Sequence, residues 1–305
     1  MISGTRNKVL VCRYDGAYRD NNAPVPEPCR VDAVRRFRRD GGVFGVITER
    51  DASEIMAILG VFEGEVDFVL CCSGGCLITY SVPGEAASPV TGLRLAAVGE
   101  RGALPVLAYR YGVQPHVLCT LHGVFAGAGM TYMNADTPGF RGGVGMGMDY
   151  LKRYSPESEG LGCKIHFWYD GSQYFDNYVS AEALRHVFPV SQARVYFSGN
   201  AVAQGAAAFA KNAFGDGIAL HMDDCGFRIT SPFADYVYGV RRYMHLAGIE
   251  DADVWAVGYM AEDAALMKEF CGIAIEGSPA EKTGTARYTV SDVTEAVQIT
   301  EKEAL

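Results

Sequence analysis

KVLVCRYDGAYRD, the stretch Lys8–Asp20, decides the fold of this chain. Its first part, Val9-Leu10-Val11-Cys12, is a short apolar and β-branched run, which predicts a buried β-strand. The residues that follow at once, Arg13–Ala17, form an acidic turn that contains a glycine. Open α/β sheets carry their chemistry at the carboxyl ends of their strands. We therefore expect the functional site beside Arg13–Ala17.

Strands and helices alternate on both sides of a long middle region. The N-terminal part predicts, in order, an amphipathic helix, a strand, a helix and a strand: Arg30–Asp40, Val43–Thr48, Glu49 to about Gly60, and Val66–Cys72. The C-terminal part predicts a strand, a helix, a strand and a charged surface helix: Val254–Gly258, Ala261–Phe270, Gly272–Ile275, and the tail beyond Val290. Such alternation indicates βαβ units and a parallel α/β sheet.

The middle region has a different pattern, which predicts an inserted second domain. Strand-like and helical runs alternate there: Val117–Thr120, Lys164–Tyr169 and Arg194–Phe197 as strands, and Ser180–Phe188 and Val202–Phe214 as helices. We predict a core of residues 1–82 and 226–305 and an α/β insert of residues 83–225, with hinges at Pro83-Gly84 and Gly226. Gly123–Met148 is rich in glycine and methionine, so it is read as a mobile loop or as a lid that packs a ligand.

Composition and charge exclude several classes of protein. At 305 residues, with 49% apolar and 21% charged residues, the chain has the make-up of a globular protein of about two domains. The net charge of −9 argues against nucleic-acid and anionic-membrane partners. No apolar run reaches the length of about 18 residues that a membrane span needs, and the first residues do not resemble a signal peptide. We therefore predict a cytoplasmic protein; its oligomeric state is open.

The nine cysteines do not have the spacing of a zinc site. Cys71, Cys72 and Cys76 form the densest group, at the end of a predicted strand. Buried, reduced thiols are the expected explanation in a cytoplasmic protein.

The turn after the first strand resembles the first motif of the haloacid dehalogenase (HAD) superfamily, a strand followed by Asp-x-Asp-Gly-Thr. Asp15 and Gly16 match this motif, Arg13 stands at its first aspartate, and Ala17 stands at its threonine. Thr48-Glu49-Arg50 resembles the Thr-Gly-Arg second motif of the Cof-type branch, and Ser73-Gly74 stands where that branch has Asn-Gly. The resemblance implies a doubly wound, Rossmann-like parallel-sheet core with a large α/β cap. It also implies Mg²⁺-dependent hydrolysis of phosphoesters.

Several residues on which that chemistry depends are replaced in this chain. The nucleophile position is Arg13, and the position of the first metal-binding acid is Tyr259. The lysine of the family aligns with Tyr236 or, allowing a gap, with Tyr238. The resemblance leaves Asp15 at the acid/base position, Thr48 at the oxygen-holding position, and Glu262 and Asp263 as residual acids.

The replacement at Arg13 is the most consequential of these. A guanidinium stays protonated and is not a nucleophile. At a separation of about 4 Å it repels a divalent cation by roughly 8 kcal/mol at an effective dielectric constant of 20. We therefore predict that no Mg²⁺ or other cofactor binds, and that Arg13 forms a buried ion pair with Asp15 and Asp263 in the place of the metal.

The sequence therefore predicts a pseudo-phosphatase whose cleft binds a small anionic or phosphorylated ligand. Arg13, Thr48 and Arg50 are the predicted ligand-binding residues, because guanidinium groups grip phosphate and carboxylate in a bidentate way. Two alternatives stay open. The chain could be an active hydrolase of a small phosphorylated metabolite with a non-standard mechanism, or a structural or regulatory subunit that binds another protein.

Overall fold

The computed structural model describes residues 8–50, 55, 66–81, 104–140, 147–156, 163–169, 172–176, 191–249 and 252–303. The strands in these residues are β1 (Lys8–Arg13), β2 (Val43–Ile47), β3 (Phe68–Cys71), β4 (Cys76–Ser81), β5 (Leu104–Arg110), β6 (Met130–Phe140), β7 (Gly147–Pro156), β8 (Cys163–Tyr169), β9 (Ser172–Asp176), β10 (Gln192–Phe197), β11 (Ala219–Met222), β12 (Gly226–Thr230), β13 (Asp253–Gly258), β14 (Cys271–Ile275) and β15 (Tyr288–Val290). The α-helices are α1 (Pro28–Arg39), α2 (Pro115–Gly127), α3 (Asn200–Phe214), α4 (Tyr236–Ala247), α5 (Ala264–Glu269) and α6 (Val293–Lys302).

Eight strands form the core sheet, in the order β15-β14-β13-β1-β2-β3-β4-β5. The six strands from β15 to β3 are parallel, and β4 and β5 continue the sheet in antiparallel fashion. The strand order reverses beside β1, which creates the switch point where open α/β sheets place their sites. The predicted doubly wound core is confirmed.

The central strand β1 is buried on both faces of this sheet. Leu10 and Cys12 lie in one apolar cluster, with residues of α1 and α6. Val9 and Val11 lie in a second cluster, with residues of α4 and α5. Successive side chains of a strand point to opposite faces, so a continuous apolar run produces a sheet covered on both sides.

Seven strands form a second sheet, which belongs to the predicted cap. Its order is β11-β12-β10-β6-β7-β8-β9, and all neighbouring strands are antiparallel. Helices α2 and α3 supply the apolar residues that cover it. The rings of Phe125, Phe197 and Phe227 pack together in this cluster, with centroids 5.4–5.7 Å apart. The predicted α/β cap is confirmed.

Two predictions for the cap region were wrong in the part that the structure describes. Val117–Thr120 is helical, within α2, because Pro115 favours a helix start and the apolar residues that follow cover the cap sheet. Gly123–Met148 is not one loop: it holds the end of α2, all of β6 and the start of β7, while residues 141–146 lie outside the described residues. Gly129, with a φ of +83°, makes the turn from α2 into β6.

The chain passes from one sheet to the other at positions that differ from the predicted domain boundaries, 82/83 and 225/226. Strand β5, at residues 104–110, pairs with β4 in the core sheet, and β12, at residues 226–230, pairs with β10 in the cap sheet. Gly226 is therefore a strand residue and not a hinge. A Cβ at this position would lie 2.2 Å from the carbonyl oxygen of Val195, so the close approach of β12 to β10 requires glycine.

Three predicted features lie wholly or mostly outside the described residues. These are the hinge at Pro83-Gly84, the helix Ser180–Phe188, and the helix from Glu49 to about Gly60, of which Ile55 is described and is helical. Among the helices that the structure describes, none combines the length and apolar character needed to cross a membrane.

Candidate functional site at the core and cap interface

The carboxyl ends of three neighbouring core strands bring the predicted site residues together. Arg13 is the last residue of β1, Glu49 lies two residues beyond the end of β2, and Asp263 lies in the turn after β13. The side chains of Arg13 and Asp263 are fully buried. These side chains therefore lie together at the carboxyl edge of the core sheet.

The guanidinium of Arg13 donates hydrogen bonds to three carboxylates of the chain itself. Its Nε lies 3.1 Å from both oxygens of Asp263, and its Nη2 contacts Asp263 Oδ1 and, at 3.1 Å, Glu262 Oε1. Its Nη1 donates to Glu49 Oε2. The ring of Tyr236 completes the enclosure, with its centroid 5.3 Å from the guanidinium carbon. Burial disfavours the cation, but Asp263 and Glu49 raise the pKa of Arg13 well above its ordinary value.

Asp263 is held in place by the backbone as well as by Arg13. Its Oδ2 accepts hydrogen bonds of 2.9 Å from the backbone N–H groups of Tyr259 and Met260. Both carboxylate oxygens are therefore engaged by donors of the chain. This arrangement matches the predicted ion pair of Arg13 with Asp263.

The residues present do not fit the Mg²⁺ ion that the resemblance implies. Mg²⁺ requires oxygen ligands in near-ideal octahedral geometry, several of them usually water. Here the guanidinium of Arg13 occupies the space between the carboxylates of Asp263, Glu49 and Glu262. Tyr259 supplies a ring that packs over the turn after β1, where a Cβ on Gly16 would lie 2.4 Å from it.

Asp15 forms a separate ion pair and is not a partner of Arg13. Arg50 binds it in a bidentate way, with Nε 2.8 Å from Oδ2 and Nη2 2.9 Å from Oδ1, and Arg19 also donates to Oδ1. Burial raises the pKa of Asp15, but the hydrogen bonds from Arg50 and Arg19 outweigh it and hold the pKa below its usual value. Thr48 is buried beside this pair, and its Oγ1 accepts a hydrogen bond of 3.1 Å from the backbone N–H of Arg50.

The two tyrosines at the lysine position have different environments. Tyr236 is buried beneath Arg13, and its hydroxyl has no hydrogen-bond partner among the described residues. Burial raises the pKa of Tyr236 strongly, so it is a neutral phenol. Tyr238 is exposed and contacts the hydroxyl of Tyr111 at 3.0 Å. Of the two alignments, the structure places Tyr236 at the site.

Four residues of the site were missed at the sequence level, and three of them come from the cap. Arg228 of β12 donates to Glu262 Oε2 at 3.1 Å and to Ser73 Oγ at 2.9 Å. Gln192 and Arg194 of β10 donate to the backbone carbonyl of Glu49, at 2.9 and 3.0 Å. No local pattern marks these cap residues. Glu49 itself was detectable, because it replaces the glycine of the Thr-Gly-Arg motif.

A cavity of about 610 Å³ lies beside this interface. Its lining includes Asn200 and Gln204 of α3, Asp223 and Asp224 before β12, and Met260 of the core. The lining offers amides and carboxylates, which suit hydroxyl or ammonium groups better than phosphate.

Comparison with solved structures identifies the fold. The HAD subclass IIB sugar phosphatase BT4131 has 11% sequence identity to this chain, with a TM-score of 0.61 over 95% of each chain. A haloacid dehalogenase-like hydrolase from Bacteroides thetaiotaomicron has 14% identity and a TM-score of 0.65, over 96% of this chain and 99% of that one. For TM0651 from Thermotoga maritima the identity is 10% and the TM-score 0.64, over 98% of each chain.

The sequence matches no protein-family model and no curated protein. The structural similarity nevertheless extends over nearly the whole chain, including the cap. The chain therefore has the HAD-superfamily fold in its capped, Cof-type form. At this level of identity the similarity establishes the fold and not the chemistry.

Proposed function

We propose that this chain is a non-catalytic protein with the capped HAD fold, in which a buried arginine takes the place of both nucleophile and metal ion. The observation that carries the proposal is the set of contacts of Arg13, whose guanidinium is fully buried and bound to Asp263, Glu49 and Glu262. A fixed cation at the end of β1 offsets one of the three negative charges there.

The same contacts argue against phosphoryl transfer through the residues of the motif. A permanently protonated guanidinium cannot attack phosphorus. Asp15, at the acid/base position, is bound by two guanidinium groups, which favour its ionised form and oppose the proton uptake that general acid catalysis requires. Neither of the first two functional positions is therefore suited to its role in hydrolysis.

The proposed function includes binding of a small anionic or phosphorylated ligand, and Arg50 is the residue best placed to bind it. Arg13 is fully buried, whereas the side chain of Arg50 is 29% exposed. An anion at Arg50 has to compete with Asp15, which holds the same guanidinium in a bidentate way. Wild-type affinity is therefore expected to be weak and to depend on the charge of Asp15.

The experiment for the lack of catalysis is a phosphatase assay of the full chain, with Mg²⁺ and a panel of sugar phosphates. We expect no turnover above background, and calorimetric titration with Mg²⁺ should reveal no millimolar or tighter site. Arg13→Asp combined with Tyr259→Asp is the matched variant, since it restores the two acids that the resemblance implies. Turnover of the wild type at ordinary enzyme rates, abolished by Asp15→Asn, would establish the active hydrolase instead.

The experiment for the ligand is a calorimetric titration with inorganic phosphate and with a sugar phosphate. Asp15→Asn removes the competing carboxylate and should strengthen binding, while Arg50→Gln should remove it. The exposed Asp32 provides a control, because Asp32→Asn changes the net charge equally at a surface position of α1. Equal affinity in the wild type, Asp15→Asn and Asp32→Asn would rule out Arg50 as the anion-binding residue.

A further inference from the structure

Three cysteine sulfurs converge inside the core, next to the site described above but separate from it. The thiol groups of Cys71, Cys72 and Cys76 all lie within 4.8 Å of one another. All three residues are fully buried. We call these three residues the thiol cluster. Cys71 ends β3 and lies directly opposite Cys76, which starts the antiparallel strand β4.

An unusual backbone conformation makes this convergence occur. Neighbouring residues of a strand point to opposite faces, so Cys71 and Cys72 would ordinarily diverge. Cys72 and Ser73, however, have φ values of +52° and +55°, a left-handed conformation that costs non-glycine residues roughly 1–2 kcal/mol each. This turn directs Cys72 toward the same place as Cys71 and Cys76. Strain of this kind, at a cluster of reactive groups, is a reason to look for a function.

The surrounding contacts hold the strained turn in place. The backbone N–H of Cys72 donates to the carbonyl of Arg50 at 2.8 Å, and Gly75 donates to the carbonyl of Cys72 at 3.0 Å. Gly74 packs against the backbone of Asp235, where a Cβ would lie 2.7 Å from the carbonyl carbon. The turn is thus defined by the tertiary structure and not by its own preferences.

The electrostatic environment restricts what the thiol cluster can bind. Three thiolates around a monovalent or divalent ion would leave a net negative charge buried in the core, which is costly. Three thiolates around a trivalent ion give a neutral complex.

We propose that the thiol cluster is a binding site for a trivalent, thiophilic metalloid, of which arsenite is the accessible form. The geometry requires little rearrangement. Trivalent arsenic keeps a lone pair and is trigonal pyramidal, so three thiolates with bonds of about 2.3 Å, as in other metal–thiolate sites, lie roughly 3.4 Å apart. Sulfurs within 4.8 Å of one another reach that separation by side-chain rotation and small shifts of the turn.

The reaction is an exchange of ligands without oxidation or reduction. As(OH)₃ and three protonated thiols give As(SR)₃ and three molecules of water. Three As–O bonds break, three As–S bonds form, and each thiol proton leaves with one hydroxide. Because reactants and product are all neutral, the reaction does not require a thiolate to exist beforehand in the core. The metalloid enters when the turn opens locally.

The turn also links the thiol cluster to the cap. The hydroxyl of Ser73, which follows Cys72, accepts from Arg228 at 2.9 Å and donates to Gln192 at 3.3 Å. Binding that fixes the turn is therefore expected to protect the contacts of Ser73 with the cap against opening. This consequence does not depend on the proposed absence of catalysis.

The test uses the full-length reduced protein in a phosphine reductant, with arsenite as the probe and native mass spectrometry as the first measurement. We expect one arsenic per chain, three fewer titratable thiols, and three sulfur neighbours in the X-ray absorption spectrum of bound arsenic. Zn²⁺, as the divalent comparison, should bind more weakly than arsenite. Loss of the adduct in Cys76→Ser, with retention in Cys29→Ser, locates the site, because Cys29 is exposed and distant in sequence.

Several results would overturn the proposal. They are the absence of an adduct with the reduced wild type, two sulfur neighbours instead of three, a tighter Zn²⁺ complex, and an adduct that survives Cys76→Ser. A thermal unfolding scan supplies a second measurement. Arsenite that binds the folded state raises the unfolding temperature relative to binding by the unfolded chain, so the wild type should shift upward by more than Cys76→Ser, and equal shifts in the two would contradict the site.

Discussion

Replacing Arg13 with methionine tests the central ion-pair network directly. Methionine keeps much of the length and apolar volume of arginine but removes the charge. The change leaves Asp263, fully buried, and Glu49 and Glu262, which are 28% and 27% exposed, without their shared cation. Removing one partner of a buried ion pair is far more destabilising than its net contribution suggests, because the other partner stays buried and uncompensated.

The expected loss can be estimated from the burial of the two partners. Breaking a buried pair costs about 3–5 kcal/mol, and Arg13 and Asp263 are both at 0% exposure, so no discount for solvent applies to this pair. Glu49 and Glu262 are partly screened and add less. At about 2–4 °C per kcal/mol for a chain of this size, the unfolding temperature should fall on the order of 10 °C.

The assay is thermal and urea unfolding of the wild type and four variants: Arg13→Met, Asp263→Asn, the two changes combined, and Arg35→Met. Arg35→Met is the control, because the pair that Arg35 forms with Asp32, 3.5 Å apart, is exposed and of a kind worth about 0–1 kcal/mol. Arg13→Met with Asp263→Asn should be less destabilised than the sum of the two single changes, since asparagine removes the uncompensated charge. If Arg13→Met unfolds at the same temperature as Arg35→Met, the network does not stabilise the fold and the reasoning is refuted.

Three further predictions concern neighbouring features. Hydrogen bonds from Arg50 hold the pKa of Asp15 low against burial. The stabilisation that this carboxylate provides above about pH 4 should therefore be lost as the pH falls through its pKa in the folded protein. Asp15→Asn should flatten this acid limb of the stability curve, and a limb in urea titrations of the variant that runs parallel to that of the wild type would contradict the prediction. Gly74→Ala should lower the free energy of unfolding by about 2–4 kcal/mol, because the new Cβ is strained and overlaps with backbone atoms. Gly277→Ala also has a positive φ but faces open space, so it should cost only about 1–2 kcal/mol. Equal unfolding midpoints for the two variants would be the contrary result. Arg228→Gln removes the hydrogen bonds of Arg228 to Ser73 and Glu262, so it should lower the free energy of unfolding by about 1.5–3 kcal/mol and speed amide hydrogen exchange where cap and core meet. Unchanged exchange there would show that this contact does not hold the cap.

The core of this fold could be predicted from the sequence because its signals are local. β1 is a continuous apolar run, and burial on both faces of a parallel sheet requires such a run. Arg13 could be placed at the site for the same reason, since it is the residue at which that run ends. Its pairing with Asp263 follows from two neighbouring strand ends and from charge.

The cap could be predicted only in outline, because its elements depend on long-range packing. The apolar run Val117–Thr120 suits a strand or a buried helix equally well, and only its position over the cap sheet decides between them. Asp15 is a similar case on a smaller scale. Arg50 lies 35 residues from Asp15 in the sequence and Arg13 only two, yet it is Arg50 that donates hydrogen bonds to the Asp15 carboxylate.

The charges at the site explain why the cap residues that no motif marks belong to it. Arg13 brings one positive charge to three carboxylates, so two negative charges remain uncompensated on the core alone. Arg228 supplies a second cation from the cap, and Glu262 bridges the two guanidinium groups, with Oε1 toward Arg13 and Oε2 toward Arg228. Since both partners of the Arg228 contact are largely shielded from water, separating cap and core would expose an acidic site with a single cation. With arginine at the end of β1, the carboxylates of the core therefore need a second cation from the cap, and the cap contact contributes to the charge balance of the core.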